Sequence, residues 1–496
     1  MNTTNNPVKM LQEKEFSPVQ MAAIALAILS PMVVSMTQPP TGLSVVGWKV
    51  LGIIFSMVIL WITEAVPIGI TSLLPIVLCP MLGLAGRAPG KGTGINCWEG
   101  MASPASVMVI GMFFLSAAIV KWNLHKRIAL TIIAMLNGKP RNILLGFILA
   151  TGVISAFMSN TTCVAMMLPL ALALLSQMGE KPGSKFGMAL ILSLPYASSI
   201  GGIATSIGSG TNIAAMSMIN KMNGIEISFL DWLMIGGPFS VIMIPLLWLL
   251  MCFLFKVTNE NSTDSDIIRK ELAALGPMRG GERLMFIFFL VATLCLVFRK
   301  FIIAPIFPLL GDENLFIVIG FLLFIVPVDL KKGIFLMDLK TAKGISWDTF
   351  LLIAGGLTMG AMFQKAGIAK WMAGHMGFME GWSNLAMMIT IMIIVAFLSE
   401  LCSNIIIALA FLPVVHTMAL TLGYNPLFLQ FAVALSSSFA FMLPSGTPPN
   451  ALAYGSGYFE VKDLAKTGFW VQLACCIVMP FVLFFISANI SPLFKM

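Results

Sequence analysis

The chain has 496 residues, 58% of them hydrophobic and only 10% charged, with a mean hydropathy of +0.96. Soluble domains carry about 25% charged residues, so a soluble globular fold is excluded and a polytopic membrane protein is indicated. The net charge of +8 follows from basic loops without interleaved aromatics, which implies no nucleic-acid partner; eight scattered cysteines with no CxxC spacing offer neither a disulfide framework nor a metal site.

The N-terminal segment up to about Pro18 is polar and reads as a cytoplasmic tail. It is long for the start of a signal peptide, and no small-residue cleavage site follows the first apolar run, so that run is expected to remain as a span. Spans are predicted at 19–36, 45–63, 67–84 and 103–120, with Pro67 allowing only a tight turn between the second and third. Residues 121–142 carry Lys121, Lys126, Arg127, Lys139 and Arg141 and read as a cytoplasmic loop, with His125 at its interface. The next apolar stretch, 143–176, exceeds the roughly 20 residues of one crossing and has a polar midpoint, which suggests a re-entrant hairpin. The stretch 186–219 is interrupted at Gly201-Gly202 and at Gly208-Ser209-Gly210-Thr211-Asn212 and reads as a helix unwound in its middle. A span at 233–255 closes the first half.

Residues 256–283 are the most charged stretch and read as a cytoplasmic linker. Spans then fall at 284–303, 314–328 and 346–369. A second hairpin is expected at 383–422 and a second broken helix at 426–457, interrupted by Pro444-Ser445-Gly446-Thr447-Pro448-Pro449-Asn450. The last span is 467–489. The count is about 11 crossings plus two hairpins, with roughly 20 Lys and Arg on the cytoplasmic side and roughly 8 outside when the N-terminus is inside. His375 and the C-terminus then lie outside, and the two halves run in opposite orientations.

The halves share motifs. Ser155, Ser159, Asn160 and Leu168-Pro169 recur as Ser399, Ser403, Asn404 and Leu412-Pro413 at one constant offset, as do Gly111 and Lys121 at Gly355 and Lys365. The broken helices match at a slightly different offset, Gly208, Ser209 and Asn212 with Gly446, Thr447 and Asn450. A polar step in an apolar run is costly in lipid unless its groups are paired or line a cavity, and paired interruptions point to a carrier's binding site. Freed carbonyls and Ser hydroxyls make an oxygen-only cage suited to a small cation such as sodium. Half-helix N-termini present N–H groups suited to carboxylates, one set from each half, which fits a rigid dianion. Neither the hairpin tips nor the broken loops contain Lys or Arg, so amides, Asn side chains and hydroxyls must recognise the anion. Ser198-Ser199 and Ser436-Ser437 read as helix–helix hydrogen-bond glue. Glu64 and Glu400 read as structural hydrogen-bonding groups rather than proton carriers, and His416 lies near the end of the second hairpin. No nucleophile–base pair or metal constellation suggests an enzyme. A passive anion channel is the alternative from another class.

The segments Ser159–Thr161 (SNT), Ser403-Asn404 (SN), Gly446–Ala451 (GTPPNA) and Lys121–Leu130 (KWNLHKRIAL) resemble the divalent anion/sodium symporter family, across about residues 20–490. The resemblance implies an all-α, inverted-repeat carrier of the inner (plasma) membrane. It would be a homodimer moving succinate, malate, fumarate, 2-oxoglutarate or, alternatively, citrate by an elevator motion. The coupling would be sodium symport or dicarboxylate exchange. It further implies a tail at 1–18, scaffold helices at 19–142 and 284–382, transport regions at 143–255 and 383–496, and the linker 256–283. One sodium site would use Ser155, Ser159, Asn160 and Gly208. The other would use Ser399, Cys402, Asn404, Gly446 and Pro448. The carboxylates would meet Asn160, Thr161, Ser209, Asn404, Thr447 and Pro448. No other cofactor is expected, and the remaining contact is membrane lipid. Two departures bear on the substrate contacts: Ile405 stands where the family motif has Thr, and Gly208-Ser209-Gly210-Thr211 stands where Thr-Pro-Pro is common.

Overall fold

The computed structural model describes residues 17–85, 95–136, 138–259, 266–374 and 381–489. His375, most of the N-terminal tail, the middle of the linker and the last residues lie outside the described residues. The fold is an all-α bundle, as expected of a polytopic membrane protein. Its helices are α1 Pro18–Met36, α2 Val45–Thr63, α3 Ile68–Thr71, α4 Leu74–Met81, α5 Pro104–Lys121, α6 Leu124–Met135, α7 Pro140–Ser155, α8 Asn160–Gln177, α9 Lys185–Ile203, α10 Gly210–Asn223 and α11 Phe229–Leu254. They continue as α12 Asp266–Ala274, α13 Gly280–Val297, α14 Asp312–Ile325, α15 Leu339–Lys343, α16 Trp347–Lys365, α17 Ile368–Ala373, α18 Asn384–Ser399, α19 Asn404–Thr421, α20 Pro426–Ser436, α21 Pro448–Tyr454 and α22 Val461–Asn489.

Among the described residues eight helices are singly long and apolar enough to cross a membrane. The count rises to nine if α5 and α6, bent by 65° at Asn123, form one span. The expected hairpins and broken helices supply the shorter apolar helices α7, α18 and α20, and α14 has only 14 residues. The two hairpins are built alike: arms of 16 and 18 residues in the first, and again 16 and 18 in the second.

Three stretches differ from the sequence reading. Residues 121–142 are not simply a loop, because Leu124–Met135 is a helix. His125 on it is buried rather than interfacial, with Nδ1 3.2 Å from the Ile119 carbonyl oxygen. The linker carries α12, whose Glu271 pairs with Lys126 at 2.9 Å. Just beyond, Glu282 takes a two-pronged bond from Arg127 at 2.6 and 2.9 Å. The basic residues of α6 thus meet linker acids instead of only water, which is why the segment folds back. The segment after α14 forms a two-stranded hairpin, β1 Pro327–Asp329 and β2 Ile334–Phe335, before α15. Lys121 hydrogen-bonds Asp338 there at 2.7 Å and draws that carboxyl down to about 2.

The centre of the bundle is α9, buried along nearly its whole length. It lies against α7 where Gly201 meets the Gly152 backbone, an approach that only small residues allow. On its other side Gly236 of α11 seats against the Ile203 carbonyl. Gly468 of α22 seats in the same way against the Phe441 carbonyl beyond the end of α20. At the α10–α11 turn a buried Arg299 bonds Glu226 at 2.6 Å and pairs with buried Asp312, while Lys300 pairs with Asp231 at 2.6 Å.

Candidate functional site

The first cradle lies where the α7–α8 tip meets the break between α9 and α10. Ser159 caps α8, its Oγ accepting from the Thr162 amide at 3.3 Å. Ser209 caps α10, accepting from the Thr211 amide at 3.2 Å. Both follow the preference for Ser at a helix start, where the first N–H groups lack partners. Ser155 is buried and its Oγ donates to Asn160 Oδ1 at 2.8 Å. A Cβ on Gly202 would collide with that same Oδ1, and one on Gly208 would stand 2.8 Å from the Ser155 carbonyl oxygen. Ser155, Asn160, Gly202 and Gly208 therefore share one tight space. Thr205 Oγ1 donates to the Ala156 carbonyl and accepts from the Gly208 amide at 3.1 Å, which ties the break to the hairpin tip.

The second cradle lies where the α18–α19 tip meets the break between α20 and α21. Here buried Glu400 gathers three backbone N–H groups, from Phe441 at 2.6 Å, Met442 at 2.9 Å and Leu443 at 3.0 Å. This is the structural hydrogen-bonding role read for it from sequence. Glu64, read in the same way, is instead an exposed left-handed C-cap of α2. A Cβ on Gly446 would stand 3.0 Å from Glu400 Oε2, so the Gly-Thr step abuts the carboxylate. Thr447 caps α21, accepting from the Asn450 amide at 3.4 Å.

The residues singled out from sequence fall into groups. Ser155, Asn160 and Gly208 come together, and Gly446 and Thr447 do so in the second cradle. The Ser159 hydroxyl is engaged in capping and in a 3.0 Å contact with Thr162 Oγ1. The Ser399 hydroxyl turns back onto its own helix, donating to the Val395 carbonyl at 2.9 Å, so it does not mirror Ser155. Asn404 keeps a buried Oδ1 with no hydrogen-bond partner, where Asn160 has Ser155. Thr161, Ser209, Cys402 and Asn404 are half-buried, and Pro448 is exposed at the first turn of α21. Sequence reasoning gave no role to Thr205 or Gly202; the signal available was the Gly201-Gly202 step. His416 lies off both tips, its Nδ1 3.3 Å from Gln430 Nε2.

The two cradles touch. α10 packs on α19 and α21 packs on α8, so each broken helix leans on the hairpin of the other half. At the first of these contacts a Cβ on Gly210 would stand 3.3 Å from Ile405 Cδ1. The starts of α8, α10 and α19 thus lie in one region, lined by amides, hydroxyls and side-chain amides. No Lys or Arg belongs to either tip or either break.

The chain is 34% identical over 491 residues to the sodium-dependent dicarboxylate transporter SdcS of Staphylococcus saprophyticus, covering 96% of this chain and 93% of that one. It is 33% identical over 494 residues to SdcS of Staphylococcus aureus strain USA300, with the same coverage of 96% and 93%. Its fold is similar to that of the Alcanivorax borkumensis YdaH transporter, with a TM-score of 0.56 at 14% identity, covering 85% of this chain and 98% of that one. Residues 19–490 match the sodium:sulfate symporter transmembrane region. The chain is a multi-pass membrane transporter, not an enzyme, and it belongs to the sodium:sulfate symporter family.

Proposed function

We propose that the protein is a secondary active carrier of small dicarboxylates of the succinate, malate, fumarate and 2-oxoglutarate class, driven by sodium. The observation that carries this reading is the pair of cradles without Lys or Arg, rich in N–H and hydroxyl groups, that meet at Gly210 and Ile405. A dianion with a carboxylate at each end can take one cradle at each end, through Asn160, Thr161 and Ser209 on one side and Asn404, Thr447 and Pro448 on the other. Helix N-termini favour such anions by their unpaired N–H groups and by the helix dipole. Sodium suits the oxygen-only surroundings of Ser155, Ser159, Asn160 and Gly208, and of Ser399, Cys402, Asn404, Gly446 and Pro448. Bound cations would supply the positive charge that the side chains lack. The names of the staphylococcal relatives support both the substrate class and the coupling ion.

In this reading 143–255 and 383–496 form the moving transport region and 19–142 and 284–382 the scaffold, the halves being inverted copies. Two chains associate through their scaffolds in the cell membrane, N-termini in the cytoplasm. The carrier works as an elevator. Dicarboxylate exchange is the second coupling mode, favoured by the loss of a hydroxyl at Ile405. The test is uptake of labelled succinate into proteoliposomes. Sodium symport requires uptake driven by an inward sodium gradient and absent in choline. Exchange requires uptake that depends on internal dicarboxylate instead. No uptake of any di- or tricarboxylate under either condition would overturn the proposal.

A further inference from the structure

Each break is bridged by an asparagine in the first turn of the helix that follows it. Asn212 Nδ2 donates to the Gly202 carbonyl at 2.8 Å and to the Thr205 carbonyl at 2.7 Å. Asn450 Nδ2 donates to the Ala440 carbonyl at 3.1 Å and to the Leu443 carbonyl at 3.0 Å. The match is complete: all three residues of one set lie the same distance along the chain from their counterparts (202, 205 and 212 against 440, 443 and 450). Both asparagines are 0% exposed, and in both the Oδ1 atom has no hydrogen-bond partner. An orphaned buried acceptor is costly, so its presence at one place in both breaks calls for a reason.

The carbonyls supply it. A helix ends with four carbonyls lacking intrahelical partners. In α9 all four are engaged: Ile200 by Ser240 Oγ at 2.6 Å, Gly201 by the Ala204 amide at 3.0 Å, Gly202 by Asn212, and Ile203 by Trp232 Nε1 at 3.1 Å. Each of the four thus has a partner without a cation. The oxygens left in the first cradle include those of the hairpin tip and of Gly208, brought close by the folded break, beside the unpartnered Ser206 Oγ and Asn212 Oδ1. In the second break Glu400 holds the N–H groups while Asn450 holds the carbonyls.

We infer that Asn212 and Asn450 are the positioning residues of the two cation sites. Each amide locks its break in the turned shape before any ion arrives, and gives two of the carbonyls there a partner that is not an ion. The ion is thereby directed to the oxygens of the hairpin tip. This rests on the sodium coupling proposed above.

The experiment uses Asn212→Asp and Asn450→Asp in the full-length protein. Each variant keeps an oxygen at the Oδ1 position and replaces the donor by a second acceptor. Sodium binding is read as the sodium-dependent rise in melting temperature in detergent, and transport as succinate uptake. The half-saturating sodium concentration is expected to rise by about tenfold or more, in line with losses on removing groups that orient ion ligands. The KM for succinate at saturating sodium should stay near that of the unmodified protein. A sodium half-saturation unchanged or lowered in both variants would overturn the inference, since a residue acting only through its oxygen would keep or gain affinity. Hydrogen–deuterium exchange of the unmodified protein in choline gives a reading that needs neither variant folding nor sodium coupling. Residues 200–212 and 438–450 should be protected without sodium; rapid exchange there would overturn the lock. A protected break in a protein with no sodium response would sink the symport reading and leave the lock standing.

Discussion

The two breaks are the same interruption satisfied by different chemistry. Between α9 and α10 the break spans residues 204–209 and is tied to its hairpin by a neutral bond, from the Thr205 hydroxyl to the Ala156 carbonyl. Between α20 and α21 it spans the longer stretch 437–447, and its hairpin contributes the carboxylate of Glu400. By the repeat offset, Glu400 stands where the first half has Ala156. A longer unwound segment leaves more N–H groups without a helix partner, and at membrane depth each must be met by protein. One carboxylate meets three of them. The contrast shows two matching interruptions met by different side chains, a hydroxyl in the first and a carboxylate in the second.

The most damaging way to probe this contrast is Glu400→Ala. It strands three N–H groups, one buried and two part-buried, and at about 1–3 kcal/mol for each the loss of about 3 kcal/mol or more should be plain in a thermal melt. Glu400→Gln keeps one accepting oxygen and should fall between. Thr205→Val removes a single hydroxyl from the shorter break and is expected to cost about 1–2 kcal/mol in the same assay. If Thr205→Val proved the more costly, the contrast between the breaks would fail. Ile405→Thr restores a hydroxyl at the second tip, opposite Gly210. One new hydrogen bond of about 1 kcal/mol should lower the KM for succinate by about fivefold.

The smallest effect concerns how each broken helix is tethered at its far end. Lys221 near the end of α10 pairs with Glu99, which Lys365 also holds at 2.9 Å. Among the described residues the end of α21 is followed instead by a neutral tie, the Tyr458 hydroxyl donating to the Glu180 carbonyl at 3.2 Å. Burial works to raise the Glu99 carboxyl, but the hydrogen bonds and charges of Lys221 and Lys365 outweigh it and hold it below its usual range. A carboxyl lowered in the folded state adds stability above its unfolded value of about 4.3, which is lost as pH falls through the folded value. Melting temperature should therefore drop on acidification below about pH 4 more in the unmodified protein than in Glu99→Gln. At neutral pH the two should differ by less than about 1 kcal/mol.

Much of the fold was legible because hydropathy and helix-breaking residues act locally. The arms of both hairpins lie within a few residues of where apolar runs meet Ser-Asn steps, whereas Gly201-Gly202, read as an interruption, lies inside α9, and the second break opens at 437, well ahead of Pro444. The amphipathic helix α6 was hidden because its charges, Lys126 and Arg127, are matched by Glu271 and Glu282 far along the chain. A basic stretch reads as solvated loop until its acidic partners are located. His125 misled for a like reason: it is buried, and Phe289 of α13 lines the same cavity.

The candidate site divides along the same line. The residue types and the paired polar steps followed from sequence alone, because a break in an apolar run carries its own cost wherever it packs. Which atoms those residues commit was decided by tertiary approach. Ser155 turns to Asn160, whereas its counterpart Ser399 turns back to Val395. Asn212 and Asn450 span their breaks only because the chain folds those carbonyls within reach of one amide. A hydroxyl or amide has several partners of similar strength, and the geometry of the surrounding helices selects among them.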